Sequence, residues 1–152
     1  MSTNAFVPAD FEVPTALACD DFRLTPLLPE YNDADYAAWT SSADHIHATP
    51  GFAEREWPID MPKEQNLRDL EQHATDFRDL TGFTYTVLSP GGEVIGCVYI
   101  YPPEQPRADV DVEVRSWVRS DHAALDAPLF RAVSAWLRAD WPFAAIDYAA
   151  RP

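Results

Sequence analysis

Val110-Asp111-Val112-Glu113-Val114-Arg115-Ser116-Trp117-Val118 is the stretch on which the fold turns. Valines alternate with charged residues, the period of a half-buried strand, and Ser116-Trp117-Val118 continue it. Upstream, Glu93 to Tyr101 is a second β-rich run. Pro90-Gly91-Gly92 separates it from Phe83 to Ser89, which is rich in Thr, Tyr and Val, so the two runs read as a hairpin ended by Pro102-Pro103. Downstream, Asp126 is a candidate helix cap with Pro128 in the first turn. Leu129, Phe130, Val133, Trp136 and Leu137 then form an apolar stripe at helical spacing. Trp141-Pro142 breaks that helix, and Phe143 to Ala150 reads as a last strand.

Toward the N-terminus, Phe22 to Leu27 alternates and Pro29 ends the run. Asn32 or Asp33 is placed to cap a helix with Tyr36 and Trp39 on its face, stopping before Pro50-Gly51. A clearer helix starts near Asp60 and Pro62, carries Leu67, Leu70, Ala74 and Phe77, and stops at Gly82. Residues 1–20 form an irregular arm whose Phe6-Val7-Pro8 and Phe11-Glu12-Val13-Pro14 are anchors worth burying. Residues 21–152 form one domain with the order β-α-α-β-β-β-α-β.

Composition bounds the function. A 152-residue chain that is 47% hydrophobic and 12% aromatic has the material for one packed core, not for a disordered chain. The formal charge of −14 repels phosphate backbones and anionic membrane surfaces, so nucleic-acid and membrane partners are not expected, whereas a small-molecule amine is attracted. No segment supplies the roughly 20 apolar residues of a membrane span, and no signal peptide opens the chain, so a cytoplasmic protein is expected. Cys19 and Cys97 form no metal or redox spacing, and Cys97 suits a buried apolar position. His45 and His47, two apart, diverge by about 200° on a helix and would not share a metal; His73 and His122 lie elsewhere, and no metal is expected. No serine sits in a G-x-S-x-G elbow.

The local sequences resemble the GNAT acetyltransferase superfamily. Gly92 to Ile100 is similar to the third strand of many members, Val112 to Arg119 to the fourth, and Leu129-Phe130-Arg131-Ala132-Val133 with Trp136-Leu137 to the long helix that follows. The likeness covers roughly residues 22 to 150. It implies an α/β (α+β) GNAT-like acyl-CoA N-acyltransferase fold, a mixed and mostly antiparallel sheet flanked by helices. It implies acetyl-CoA as co-substrate in a V between the fourth and fifth strands. The pantetheine arm would run along Trp117, Val118 and Arg119, and the pyrophosphate would sit on the loop opening the next helix.

That loop departs from the family pattern Q/R-x-x-G-x-G/A. His122 stands for the Gln or Arg, Leu125 for the first glycine, and only Ala127 agrees. Asp126 would cap the helix and repel the phosphate; a like charge at about 4 Å costs about 4 kcal/mol at an effective dielectric near 20. Members also continue with a helix and two strands that often supply a tyrosine acid; here the sequence stops at Pro152, leaving Tyr148 as the nearest substitute. Glu113, four residues before Trp117, matches a fourth-strand general base, the group an ammonium needs before it can attack a thioester. Without that role it is one rung, with Asp109 and Asp111, of a solvated acidic ladder. The resemblance therefore implies either an acetyl-CoA-dependent N-acetyltransferase acting on an unknown amine or a non-catalytic domain of the same fold that binds a small molecule or a protein. The edge beyond the last strand would be covered by the arm, by a second subunit or by a ligand, so a monomer or a homodimer is expected.

Overall fold

The alternation at 110–118 becomes the strand β5 (Val112–Val118), seated between a long antiparallel partner and a short parallel one. The computed structural model describes residues 5–151. In chain order the other elements are β1 (Leu17–Ala18), β2 (Arg23–Pro26), α1 (Asn32–Thr40), α2 (Ala43–His47), α3 (Lys63–Arg78), β3 (Phe83–Leu88), β4 (Val94–Tyr101), α4 (Asp126–Asp140) and β6 (Ile146–Tyr148). The six strands form one sheet in sequence order, antiparallel except for β5 with β6. This is the mixed, mostly antiparallel sheet expected from the sequence.

Each face of the sheet has its own core. Phe83, Tyr85, Val87, Val98, Ile100, Val112 and Val114 face α4, where Leu129, Val133, Trp136 and Leu137 close over them. Burial of each such side chain contributes roughly 1.5–3 kcal/mol. On the other face, Leu88, Val94, Cys97 and Trp117 meet Trp39 of α1, Ile46 of α2, Phe52 and Leu70. The arm lies on the α4 side: Val7 is buried, Phe6 packs on Phe83 and Phe143, Phe11 packs on Trp141, and the Tyr85 hydroxyl donates to the Pro14 carbonyl at 2.5 Å.

Five local expectations are corrected. The arm also supplies a strand, β1, and it pairs with β2 at the sheet edge opposite β6. Among the described residues, therefore, no strand pairs with the outer side of β6. The helix expected to run to Pro50 breaks into α1 and α2. The last strand is three residues long, because Asp111 holds the turn before it by accepting from the Ala144 and Ala145 amides at 2.9 and 3.0 Å. None of the expected caps forms; Tyr31, Pro62 and Leu125 precede α1, α3 and α4 without a side-chain bond. On α3 the buried positions are Asn66 and Leu70, while Leu67 is 37% exposed.

The end of α3 shows why the glycine does not close it. Leu80, not Gly82, takes the left-handed conformation (φ 63), and Thr81 N–H reaches back to the Asp76 carbonyl at 2.9 Å in a Schellman closure. Gly82 is needed for another reason: a methyl there would overlap the Tyr101 ring. Gly82→Ala should cost about 1–3 kcal/mol by urea denaturation, since the ring is held in place by its hydroxyl partners and the overlap forces a backbone or rotamer shift. Gly91→Ala, whose methyl would meet only the Ser89 hydroxyl at 3.8 Å, should stay within about 0.5 kcal/mol of the parent.

Candidate functional site

Parallel pairing of β5 with β6 covers only Val112 with Ile146, Glu113 with Asp147 and Val114 with Tyr148. On its other side β5 stays paired with β4 as far as Val118. Beyond Val114 the two strands part, and the side chain of Arg151 fills the gap. Its guanidinium donates to the Ser116 carbonyl at 2.8 Å and to Asp126 at 2.8 Å, and it closes on the Ala149 carbonyl at 2.8 Å. It lies 5.8 Å from the Phe130 ring centre and 5.7 Å from that of Tyr148. Only 2% of this side chain is exposed. The Tyr148 hydroxyl meets the Ser116 hydroxyl at 2.5 Å, and burial pushes its pKa up to about 12.

The residues matched to the acyl-CoA site lie side by side at this gap, but they serve other partners. Trp117 turns onto the α1 and α3 face and donates to the Tyr99 hydroxyl at 3.0 Å; Val118 enters the opposite core. Arg119 holds Asp121 at 2.8 Å, Glu93 at 3.4 Å and the Val94 carbonyl at 3.1 Å. His122 holds Asp121 at 2.9 Å. Residues Ser120–Leu125 form a 3-10 turn instead of a glycine cradle, with Leu125 packed on the core and Ala127 in the first turn of α4. Several of the turn's amides are already bonded: Ser120 to the Ser42 hydroxyl, His122 to the Arg119 carbonyl, Asp126 to the Ala123 carbonyl. Asp126 does not cap α4; its carboxylate faces Arg151. The β5 edge beyond Val114 is thus occupied by Arg151, and the turn has no free cation among the described residues unless these ion pairs break.

Glu113 stands at the other end of the gap, on the wall of an open cavity of about 770 Å³ between β5, β6 and the loops after α2 and β4. Its carboxylate accepts from Arg107 at 3.1 Å and lies 3.9 Å from Arg115; Arg107 also bridges to Asp147 at 2.8 Å. The acidic ladder is therefore divided: Asp111 braces backbone and Glu113 is ion-paired.

A second cavity of about 270 Å³ adjoins the first, and Arg55, Trp57 and Arg115 line both. Its walls include Phe52, Trp57 and Tyr99, with ring centres 6.1 to 6.4 Å apart. Its floor is a buried polar cluster built on Asn66. The Asn66 amide donates to Asn32 at 2.9 Å and to Asp35 at 3.1 Å, and its oxygen accepts from Trp39 at 3.0 Å. Burial pushes the Asp35 carboxyl up to about 6 against the opposing bond from Asn66. His73 also lines this cavity. Its Nδ1 is within 2.8 Å of the Tyr101 hydroxyl, which donates to Asp76, and burial holds its imidazole below the ordinary range. Of the other histidines, His47 bonds the Pro58 carbonyl at 2.6 Å, while His45 has a buried Nε2 with no partner among the described residues.

Sequence reasoning found Glu113 and the β5 run but missed Asp35, Arg115 and Arg151. Asp35 left a usable signal: it sits one turn before Trp39 on the apolar face of α1, where an acid needs a reason. Arg151 left none, because its contacts at Ser116 and Asp126 are 35 and 25 residues away.

The order and packing of the strands and helices match solved acetyltransferases. A GnaT-family acetyltransferase from Bordetella pertussis, described as putative, superposes at a TM-score of 0.61 with 17% identity, over 82% of this chain and 74% of that one. The chain has the GNAT fold. The ribosomal L7/L12 α-N-protein acetyltransferase RimL, solved with coenzyme A, matches at 0.62 with 10% identity over 84% and 68% of the two chains. The microcin C7 self-immunity acetyltransferase MccE, solved with acetyl-CoA and AMP, matches at 0.59 with 11% identity over 79% and 62%. No family model matches the GNAT-fold chain, and no curated protein matches its sequence. Among the described residues, no helix is long and apolar enough to cross a membrane.

Asp35 makes the cavity floor pH-sensitive. A carboxyl raised from 3.8 to about 6 binds its proton more tightly in the folded protein, so folding stability falls as pH rises through that window. The groups facing it, Asn66, Tyr99 and Cys97, are all neutral there. Asp35→Asn keeps an acceptor for Asn66 and removes the buried charge. Its stability relative to the parent should rise by about 2 kcal/mol between pH 4 and pH 7, since each tenfold change in proton affinity is worth about 1.4 kcal/mol. Urea midpoints at a series of pH values give the difference; a pH-independent gap would refute the assignment.

Proposed function

We propose that this chain is an N-acetyltransferase, moving an acetyl group from acetyl-CoA to an amine seated in the cavity beside Glu113. The observation that supports the reading is the parting of β5 and β6 after Val114, which leaves the Ser116 carbonyl with a side chain, Arg151, in place of a strand partner, while Val114 lines the cavity that holds Glu113. The amine nitrogen attacks the thioester carbonyl, a C–N bond forms, the C–S bond breaks, and the CoA thiolate leaves, taking up the second proton that the nitrogen sheds. Glu113 takes the ammonium proton, directly or through water, and must give up its bond to Arg107 to do so. The acyl arm displaces Arg151 from the Ser116 carbonyl, and Arg119, released from Asp121 and Glu93, supplies the positive charge that the 3-10 turn lacks. The net charge of −14 concentrates cationic acceptors around the site.

The plugged gap favours a second reading, a GNAT-fold domain that binds a small molecule without acyl transfer. Calorimetric titration with acetyl-CoA separates the two. Under the first, acetyl-CoA binds the parent, and Arg151→Ala binds it about tenfold or more tighter, because the closed fraction no longer lowers the affinity. No heat at millimolar acetyl-CoA with either protein rules out the first. If acetyl-CoA binds, Glu113→Gln should lower turnover about 100-fold while changing acetyl-CoA affinity less than about twofold.

A further inference from the structure

The inner cavity carries two charges of opposite sign that do not satisfy each other. Asp35 is 4% exposed, and its one hydrogen bond comes from a neutral amide, that of Asn66. Arg115 is a guanidinium whose side chain is 21% exposed, with no hydrogen-bond acceptor among the described residues; its nearest carboxylate oxygen, on Glu113, is 3.9 Å away. Arg55 stands beside it and adds to the cost of its burial, yet Arg55 is already paired with Glu104. The backbone is shaped around Arg115: Gly51 has φ +99, and a methyl there would press on the arginine stem at 3.3 Å. Both Asp35 and Arg115 line the same cavity, with Phe52, Trp57 and Tyr99 as aromatic wall.

We propose that this inner cavity binds a small zwitterion of the amino-acid type, its carboxylate on Arg115, its ammonium on Asp35 and its apolar side chain against Trp57. A buried charge without a counter-charge is unfavourable, and a ligand that supplies it is selected over one that does not. A simple amine leaves Arg115 without an acceptor. A simple carboxylate leaves Asp35 without a cation. A volume of about 270 Å³ is roughly that of nine waters at about 30 Å³ each, which suits a single amino acid and excludes a long peptide. The aromatic wall adds apolar contact and a face for the cation. The site is distinct from the outer cavity in which Glu113 stands, and it stands or falls without the acyl donor.

The test is calorimetry at pH 7.5, without acetyl-CoA, using L-leucine, L-phenylalanine and L-tryptophan. L-phenylalaninamide lacks the carboxylate and 3-phenylpropionate lacks the ammonium. At least one amino acid should bind, and both truncated analogues should bind about tenfold or more weaker than L-phenylalanine. Arg115→Gln should erase the preference for L-phenylalanine over its amide. Asp35→Asn should erase the preference over 3-phenylpropionate. Arg115→Lys, which keeps the charge, should retain part of the first preference, and thermal melts of each variant confirm folding. Binding of none of the amino acids overturns the proposal, as does equal or tighter binding of either analogue. Zwitterion binding in a protein that ignores acetyl-CoA would leave this site standing and remove the transferase reading.

Discussion

A carbonyl inside a sheet has to be bonded, and Ser116 is where this sheet runs out of strand to bond it. β4 accompanies β5 to its end, but β6 leaves after Val114, and a fully buried residue is left with an acceptor and no ladder. Arg151 resolves this by bringing a guanidinium into the gap. That solution demands a counter-charge, which Asp126 provides, and a flat apolar surround, which Phe130 and Tyr148 provide. The same contacts fix where α4 begins and what the 3-10 turn before it can offer. The course of the chain at the end of β5 and the occupancy of the gap thus follow from one backbone group.

The cavity side rests on a different balance. Asn66 joins α1 and α3 through three buried polar bonds, and each partner gives up water only because another polar atom replaces it. Such a cluster specifies how the two helices sit. It also holds a carboxyl, Asp35, in surroundings that disfavour its charge. Across the aromatic wall, Arg115 is held in the mirror situation. Apolar residues in both places would pack a helix pair equally well, and the polar choice makes sense as the lining of a binding site.

The low identity to solved acetyltransferases, 8 to 17% across the compared structures, fits this picture. The sheet order and the α4 layer survive on any sequence that preserves apolar periodicity. In the turn between β5 and α4, Arg119, His122 and Asp126 have partners within the chain.

Periodicity alone determined most of the fold. The alternating valines of β5, the Pro90-Gly91-Gly92 turn and the Leu129 to Leu137 stripe each encode a local geometry that burial then rewards, whereas Glu113 stood out only through the resemblance of its strand to a known family. What the sequence could not decide were contacts between residues far apart in the chain. The arm's strand at Leu17–Ala18 is too short to show a period. Leu80, not Gly82, closes α3 because Tyr101 claims the space at Gly82. Asn66 displaces Leu67 from the buried face because Asp35 and Trp39 wait for it there. Arg151 fills the cleft because Ser116 and Asp126, distant in sequence, both lack another partner there. Periodicity reports which way a side chain points; only the tertiary structure decides which charge or hydrogen bond it finds when it gets there.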